Sequence, residues 1–139
     1  MQKKVVFTNG CFDIIHRGHV EYLEDAKELG DILIIGLNSD ESVRGLKGDD
    51  RPINNEEDRR KVLMALKSVD DVIIFNELDP LRLVKEIKPD VIIKGGDWKI
   101  ENIIGANFVI ENGGEVYSIE IKSDCSTSKI IEKIRNLNE

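Results

Sequence analysis

Residues 5–19 read VVFTNGCFDIIHRGH, and this stretch indicates a buried strand that runs into a ligand-binding turn. The apolar, β-branched character of Val5–Thr8 favours a strand. His16 and His19, the only two histidines of the chain, are three residues apart and would share one face of a helical turn. We expect them at the N-terminus of a helix, where free N–H groups and partial positive charge attract phosphate. The alternative is an ordinary strand–loop–helix turn with two surface histidines.

The chain has 139 residues, a hydrophobic fraction of 40% and a net charge of −7, which predicts one domain over residues 1–139. The acidic balance argues against nucleic acid as a partner. No apolar run approaches the roughly 20 residues that a membrane span needs, so no membrane contact is expected. The N-terminal residues lack the apolar core of a signal peptide, and we therefore expect a cytoplasmic protein.

Strand-like and helix-like segments alternate along the sequence. The strands are predicted at Val5–Thr8, Ile32–Leu37, Asp71–Phe75, Asp90–Lys94 and Glu115–Ile119. The helices are predicted at Gly18–Leu29, Asp40–Gly45, Asn55–Lys67, Pro80–Ile87, Ile103–Asn112 and Ser126–Leu137, the last with Ile130, Ile131 and Ile134 turned inward. This order predicts an α/β fold, a Rossmann-like doubly wound five-stranded parallel sheet with helices on both faces. Ligands of such sheets bind beyond the carboxyl ends of the strands, near the point where the strand order reverses.

A second polar cluster, DCSTSK at residues 124–129, directly precedes the last predicted helix. Ser126, Thr127 and Ser128 belong to residue types that commonly cap a helix without any further role. The helix also begins just beyond the carboxyl end of a strand, so its free N–H groups can face the same crevice as the histidines. Two helix N-termini that converge on one site would suit a triphosphate.

Two further loops supply candidate cations and a candidate stacking residue. Lys47 lies in the glycine-containing loop 45–54, where a side chain could close over phosphates, and Arg59 could reach inward from the following helix start. Both could equally be solvated surface charges. In the loop KGGDW at residues 94–98, the glycines allow close backbone approach, and Trp98 could pack on a base or a sugar. The alternative is a tight turn with Trp98 as a hydrophobic lid.

Taken together, these residues resemble the HxGH nucleotidyltransferase superfamily, in its cytidylyltransferase-like branch. GCFDIIHRGH at residues 10–19 matches the pattern G-x-F-D-x-x-H-x-G-H, and CSTSKII at residues 125–131 matches S-T-[TS]-K-I-I. Within the branch, the chain is most similar to the nucleotidyltransferase domain of bacterial ADP-heptose synthases. That similarity rests on the stretches TNGCFDIIHRGHVEYL, LNSDESVRGLKGDDRPIN, KGGDW, ENGGEV and DCSTSKIIEKI, so it covers essentially the whole chain.

The resemblance implies transfer of AMP from ATP to D-glycero-β-D-manno-heptose 1-phosphate, with release of pyrophosphate and formation of ADP-heptose. Catalytic roles are then expected for His16, His19 and Lys47. Contacts to the nucleotide are expected from Asn9, Gly10, Cys11, Phe12, Asp13, His16, Gly18, His19, Arg59, Gly96, Asp97, Ser126, Thr127 and Ser128. Contacts to the sugar phosphate are expected from Asn38, Asp40, Lys47, Lys94 and Trp98. Mg²⁺ is expected to bind mainly through the nucleotide phosphates.

The same family resemblance leaves alternatives open. Its motifs also serve glycerol-3-phosphate cytidylyltransferases and FAD synthetases, because a sequence pattern alone does not identify the base. A different class is a nucleotide-binding module without catalysis, against which the joint presence of both histidines, Lys47 and Arg59 argues. The family also implies a homodimer, with apolar residues near Ile53 or Val69–Ile74 as a candidate interface.

The two cysteines, Cys11 and Cys125, lie beside the two predicted phosphate-binding helix starts. Such a position lowers the pKa of a thiol, so we expect both to line the nucleotide pocket and to react faster than ordinary thiols. The alternative is two small buried residues that fill gaps in loops. Both are expected to stay reduced in the cytoplasm.

Overall fold

The computed structural model describes residues 2–120 and 126–137 of the chain. Five parallel strands form one sheet in the order β3–β2–β1–β4–β5. The strands are β1 (Val5–Gly10), β2 (Ile32–Asn38), β3 (Asp71–Phe75), β4 (Val91–Gly95) and β5 (Glu115–Ile119). The helices are α1 (Arg17–Glu28), α2 (Asp40–Lys47), α3 (Glu56–Met64), α4 (Leu81–Ile87), α5 (Ala106–Glu111) and α6 (Thr127–Asn136), with a short 3₁₀ turn at Ile100–Asn102.

Helices cover both faces of the sheet. Successive side chains of a strand point to opposite faces, and accordingly Val6 and Phe7 of β1 belong to two separate hydrophobic clusters. The cluster around Val6 includes residues of α1 and α3, namely Tyr22, Leu23, Ala26 and Leu63. The cluster around Phe7 includes residues of α4 and α5, namely Leu83, Val84, Ala106 and Val109. The predicted doubly wound α/β fold is therefore confirmed.

The strand order reverses between β1 and β4, and a crevice opens there. β1 pairs with β2 along its whole length, from Val5 to Gly10. Within the described residues, its ladder with β4 comprises only Val6 opposite Val91 and Phe7 opposite Ile92. The carboxyl ends of β1 and β4 consequently separate, which creates the kind of site that doubly wound sheets use for ligands.

The end of α2 and the burial of α6 differ from what the sequence predicted. α2 continues to Lys47, so Lys47 belongs to the last helical turn and not to a loop. The prediction that Ile134 of α6 is turned inward was wrong, because Ile134 is 53% exposed and no described residue of α6 is buried. The spacing of isoleucines defines an apolar stripe on a helix, but it does not establish that another element covers the stripe.

Two other helices are shorter than predicted. α3 ends at Met64 and not at Lys67, and α5 begins at Ala106 after the 3₁₀ turn. β5 has the predicted bounds, Glu115–Ile119. Among the described residues, none of the helices combines the length and the apolar character that crossing a membrane would need.

Candidate functional site

A cavity of about 330 Å³ lies at the carboxyl ends of β1 and β4. It brings together residues from both ends of the chain. Its lining residues are Asn9, Gly10, Cys11, Phe12, Asp13, His19, Tyr22, Lys47, Lys94, Gly95 and Thr127. A larger cavity of about 450 Å³ beside α4 and α5 contains none of the residues predicted for the site. The smaller cavity is therefore the candidate site. It lies where the strand order reverses and is lined by polar and charged side chains, and these two properties indicate a ligand site better than volume does.

His16 and His19 lie at the N-terminus of α1, where one nitrogen of each ring caps the helix and the other is left for a ligand. His16 is the N-cap: its Nδ1 accepts a hydrogen bond from the Gly18 N–H at 3.1 Å. The His19 Nδ1 in turn accepts from the His16 N–H at 3.3 Å, so the pair forms a reciprocal capping box. The two rings stack with centroids 3.9 Å apart. Because each Nδ1 is an acceptor, the remaining proton of each neutral imidazole is on Nε2, which is left as a donor.

Both histidines are uncharged at neutral pH. Burial is the main cause, since it lowers the pKa of His16 and lowers that of His19 to about 4. His16 and Lys47 lower the pKa of His19 further by charge repulsion. The histidine pair therefore presents neutral hydrogen-bond donors, and the positive charge at the cavity comes from other groups.

The motif backbone between β1 and α1 is tightly folded. Phe12 has a φ of +44°, a value that non-glycine residues rarely adopt. Its ring lies against Gly10, where a Cβ would approach the ring to 2.9 Å, and it packs on the His19 ring with centroids 5.4 Å apart. The small residue at position 10 thus makes room for the ring that supports the second histidine.

Two lysines reach the cavity from opposite sides of β1. Lys47 is exposed and extends from the end of α2, the helix that follows β2. Lys94 is near the end of β4, and burial lowers its pKa. The Lys94 ammonium lies 5.4 Å from the centre of the Trp98 ring, a cation–π contact. The cavity therefore combines two ammonium groups with the neutral imidazole of His19, whereas His16 stacks on His19 without lining the cavity.

The start of α6 joins the N-terminal motif, as the sequence predicted. Thr127 lines the cavity, and its hydroxyl donates to the Ile14 carbonyl at 3.2 Å. The Ser126 side chain caps α6 by accepting from the Lys129 N–H at 3.1 Å. Ser128 accepts a long hydrogen bond of 3.4 Å from the Arg51 guanidinium. Of the predicted cluster, Asp124 and Cys125 lie outside the described residues.

Arg59 has a different environment from the one predicted. It was expected to contact phosphate, but it is 1% exposed and does not line the cavity. Its guanidinium donates to the carbonyls of Asn54, Cys11 and Asn38 and to the carboxylate of Asp40, at 2.8–2.9 Å. The place of an arginine near a helix start does not show whether its guanidinium faces a ligand or is enclosed by carbonyl groups.

Asp13 also binds protein groups. Its carboxylate is 5% exposed and accepts the N–H groups of Ile53 and Asn54, at 2.7 and 2.8 Å. These bonds attach loop 48–55, between α2 and α3, to the motif. Asn38 and Asp40, predicted to contact the sugar phosphate, do not line the cavity and instead interact with Ser42 and Arg59.

The glycine loop after β4 holds Trp98 beside the cavity. Gly96 has a φ of +113°, which glycine adopts without strain. The Trp98 indole donates to the Gly95 carbonyl at 3.1 Å, and its backbone N–H donates to the Ser118 hydroxyl at 3.1 Å. Trp98 lines a small adjoining cavity of about 60 Å³ together with Asn9 and Lys94. Asp97 is exposed, and neither it nor Gly96 lines the main cavity.

The expectation of a low thiol pKa at Cys11 was wrong. Cys11 does line the cavity, but burial raises its pKa by more than the nearby charges of Lys47 and Arg59 lower it. A position beside a helix start therefore does not make this thiol unusually reactive, because desolvation opposes thiolate formation. Cys125 lies outside the described residues.

Comparison with known proteins decides the family. The cytidylyltransferase-like family model matches residues 7–133, which include both the histidine motif and the start of α6. The chain belongs to this family of nucleotidyltransferases. It is thus an enzyme of the class that the motifs predicted.

Individual relatives support the same assignment. This cytidylyltransferase-like chain is 53% identical over 137 residues to the bifunctional protein HldE of Haemophilus influenzae, a match that covers 99% of the chain and 29% of that protein. It is 52% identical over 132 residues to HldE of Citrifermentans bemidjiense, covering 95% of the chain and 27% of that protein. The chain therefore spans less than a third of the length of these relatives.

Solved structures agree with the fold. A lipopolysaccharide core biosynthesis protein from Thermoplasma volcanium superimposes with a TM-score of 0.71 at 32% identity, covering 89% of this chain and all of that one. Pantothenate synthetase from Thermus thermophilus, at a TM-score of 0.54 and 17% identity, covers 85% of this chain and 55% of that chain and shows the shared fold alone.

Two residues that line the cavity of this cytidylyltransferase-like chain, Tyr22 and Gly95, were not among the predicted site residues. Tyr22 lies one turn after His19, and its hydroxyl donates to the Ile93 carbonyl of β4 at 3.1 Å. It also shares a 2.6 Å hydrogen bond with the Thr8 hydroxyl of β1. Tyr22 therefore connects α1 to both strands below the point where they separate. Its position among the apolar residues of α1 predicted a core residue, and the polar tip of a buried tyrosine was the available signal.

Proposed function

We propose that this enzyme transfers AMP from ATP to D-glycero-β-D-manno-heptose 1-phosphate, which forms ADP-heptose and releases pyrophosphate. The observation that carries the proposal is the joint placement of His19, Lys47, Lys94 and Thr127 around one cavity at the strand-order reversal. The choice of acceptor is supported by the whole-chain likeness to HldE proteins and to a lipopolysaccharide core biosynthesis protein.

The cavity chemistry suits attack by one phosphate on another. A phosphate oxygen of the sugar phosphate attacks the α-phosphorus of ATP, and the bond to the β-phosphate oxygen breaks to release pyrophosphate. The attacking monoester is already ionised near neutral pH, so no strong general base is needed. The requirement is to align two anions and to offset their repulsion.

Five side chains at or beside the cavity have distinct parts in this proposal. The two lysines supply positive charge, with Lys47 on the nucleotide side and Lys94 beside Trp98 on the acceptor side. The Nε2–H groups of His16 and His19 donate to phosphate oxygens whose charge grows in the transition state. The backbone N–H groups of the first turn of α6, together with the Thr127 side chain, hold the β- and γ-phosphates.

Mg²⁺ would accompany the nucleotide. Within residues 2–120 and 126–137, no group of three or more His, Cys, Asp or Glu side chains is arranged to hold a metal ion. Asp13, which contributes a carboxylate to the cavity wall, already accepts two backbone N–H groups. Nucleotide phosphates and water are therefore the proposed ligands, and the ion would offset phosphate charge there.

The test is a matrix of substrates with pyrophosphate release as the readout. The purified chain is incubated with Mg²⁺ and each of ATP, CTP, GTP and UTP, against D-glycero-β-D-manno-heptose 1-phosphate, glycerol 3-phosphate and FMN. Release with ATP and the heptose phosphate alone supports the proposal. Release with CTP and glycerol 3-phosphate, or with ATP and FMN, replaces it with the corresponding alternative. ATP binding without release on any acceptor favours a module without catalysis.

A further inference from the structure

The bonds of Arg59 determine how one peptide group of the histidine motif is oriented. The side chain is fully enclosed, and its Nη1 donates to the Cys11 carbonyl at 2.8 Å. Four of the five N–H groups of a guanidinium are used on protein oxygens here, from Asn54, Cys11, Asn38 and Asp40. Arg59 is absent from the lining of the cavity, whereas Cys11 and Phe12 both line it. The Cys11 carbonyl therefore points away from the cavity and toward the arginine.

The same peptide group carries the Phe12 N–H on its opposite side. In a trans peptide the C=O and the N–H point in opposite directions, and the peptide between Cys11 and Phe12 is trans. With the carbonyl fixed on Arg59, the N–H is directed toward the cavity. Within residues 2–120 and 126–137, this N–H makes no hydrogen bond. A fixed, unused donor at the edge of a cavity is suited to an oxyanion.

We infer that Arg59 is a positioning residue, which orients the Phe12 N–H to bind a phosphate oxygen of the nucleotide without touching the nucleotide itself. This inference rests on the proposed function in so far as the cavity binds phosphate. The family resemblance already implies a contact between Phe12 and the nucleotide; the new element is the role of Arg59, which the sequence expectation placed on phosphate directly. It also accounts for the unusual φ of +44° at Phe12, which needs surrounding bonds to persist.

Neighbouring contacts make the arrangement rigid. Arg59 lies on α3, and its Nε donates to the Asn54 carbonyl at 2.9 Å. Asp13 accepts the Asn54 N–H at 2.8 Å, so the same residue is held from both sides. The Asp40 carboxylate balances the buried positive charge at 2.9 Å, which keeps the guanidinium in place without a phosphate. The motif loop, loop 48–55 and the end of β2 are thus connected through one side chain.

The test follows individual N–H groups by NMR in the intact chain. The chain contains four phenylalanines, so selective ¹⁵N-phenylalanine labelling gives four backbone amide signals, and Phe12→Leu identifies one of them. Addition of MgATP, or of pyrophosphate alone, should shift the Phe12 amide proton more than the amides of Phe7, Phe75 and Phe108. In the same wild-type sample labelled at arginine, the Arg59 Nε–H signal should remain unshifted. A shifted Arg59 signal beside an unshifted Phe12 signal overturns the inference.

A variant pair extends the test. Arg59→Lys keeps the charge but loses the planar set of donors, so the phosphate-induced shift at Phe12 should disappear and kcat/KM for ATP should fall by about 10²-fold. Retention of the Phe12 shift in folded Arg59→Lys protein overturns the inference. Arg60→Lys is the matched control, because Arg60 donates to the Val72 carbonyl at 3.0 Å, away from the motif. It should leave the Phe12 shift and turnover unchanged.

The design separates this inference from the proposed function. A wild-type chain that shows the Phe12 shift with MgATP but transfers nothing to any sugar phosphate supports the positioning role and refutes the transferase reaction. If the chain transfers AMP but its Phe12 amide signal does not shift on addition of MgATP or pyrophosphate, only the positioning role is refuted. If Arg59→Lys does not fold, the two wild-type measurements decide.

Discussion

At the scale of single residues, His16 shows how one side chain serves both structure and chemistry. Its Nδ1 accepts the Gly18 N–H and thereby caps α1, while its Nε2 remains a donor. An alanine variant removes both functions at once. Asparagine, a favourable N-cap residue with an acceptor at a similar distance from the backbone, can replace only the first.

We therefore predict different outcomes for two variants of His16. His16→Ala should lower the free energy of unfolding by about 0.5–2 kcal/mol through loss of the cap. It should also lower kcat by roughly 10²–10³-fold through loss of a transition-state donor, as should His19→Ala. His16→Asn should recover most of the stability and little of the turnover. Urea unfolding and pyrophosphate release measure the two effects, and recovery of turnover by asparagine would show that the cap alone matters.

The protonation of the histidines gives a second prediction. Their pKa values are lowered from 6.5 in the folded chain, that of His19 to about 4. Between these values the unfolded chain binds more protons than the folded chain, so the free energy of unfolding should decrease as pH falls from about 6.5 toward about 4. Because the chain has two histidines, two imidazole signals in an NMR titration report the midpoints directly. Midpoints at or above 6.5 would contradict the neutral pair.

Residue identity predicted some of the site and not the rest, for physical reasons. The spacing of His16 and His19 fixes their shared position on a helical turn, so their proximity follows from local geometry. The surroundings of Arg59 and Cys11 depend on contacts between distant segments. The Arg59 side chain, for example, donates to the carbonyl of Cys11, which is 48 residues away in the sequence. Whether a guanidinium contacts phosphate or protein oxygens depends on how deeply it is buried. The burial of one residue depends in turn on how the whole chain folds.

At the scale of elements, α2 extends beyond the end predicted for it from the sequence. Gly45 and its neighbouring polar residues predicted a loop from position 45, but the helix continues to Lys47 and ends at Gly48 with a φ of +98°. A Cβ at Gly45 would approach the tip of Leu78 to 2.8 Å, and Leu78 is exposed and flexible enough to move. The glycine is therefore tolerated in the helix and not required by it.

Gly45→Ala tests this helix boundary. Alanine is favoured over glycine in a helix by up to about 1 kcal/mol, so the variant should raise the free energy of unfolding by about 0.5–1 kcal/mol. Urea unfolding at neutral pH measures the change. A loop at this position would give no gain, and a loss of stability would show that the Leu78 side chain cannot make room. Gly48→Ala is the contrasting variant, which should destabilise because of its positive φ.

The end of α2 also determines the effect of removing Lys47. The exposed Lys47 ammonium contributes little to folding, so Lys47→Ala should leave the melting temperature unchanged. Lys47→Ala should nevertheless raise the KM for ATP by roughly tenfold, because one phosphate-facing charge is removed. Arg44→Ala, at an exposed position one turn earlier on the same helix, is the matched control and should change neither value. A marked fall in melting temperature for Lys47→Ala would indicate a structural lysine.

At the scale of the whole molecule, alternation of strands and helices was sufficient to predict the parallel sheet. It was not sufficient to predict the separation of β1 and β4, which sets the shape of the site. That separation begins after Phe7, where the ladder with Ile92 ends, and Tyr22 bridges the gap by contacts with Thr8 and Ile93. Which strand ends diverge depends on side chains from a third element, so no single segment of sequence specifies it.

Association of two copies remains a prediction at this scale, and the structure narrows the surface that could support it. Val69 and Val72 of the predicted interface are buried in the chain's own core, whereas Ile53 is 55% exposed on loop 48–55. Ile53 also donates its N–H to Asp13, so a contact there would bear directly on the motif. A dimer formed around Ile53 would thus connect assembly to the site.

The expected outcome is a dimer in sedimentation velocity that Ile53→Lys converts to a monomer. The charged side chain replaces an exposed apolar one and leaves the backbone bond to Asp13 intact, so the melting temperature of the monomer should stay near its wild-type value. Val72→Lys is the contrasting variant: it places a charge in the core and should unfold the chain instead of dissociating it. A wild-type chain that sediments as a monomer at every concentration would contradict the prediction. A dimer unaffected by Ile53→Lys would place the interface on another surface.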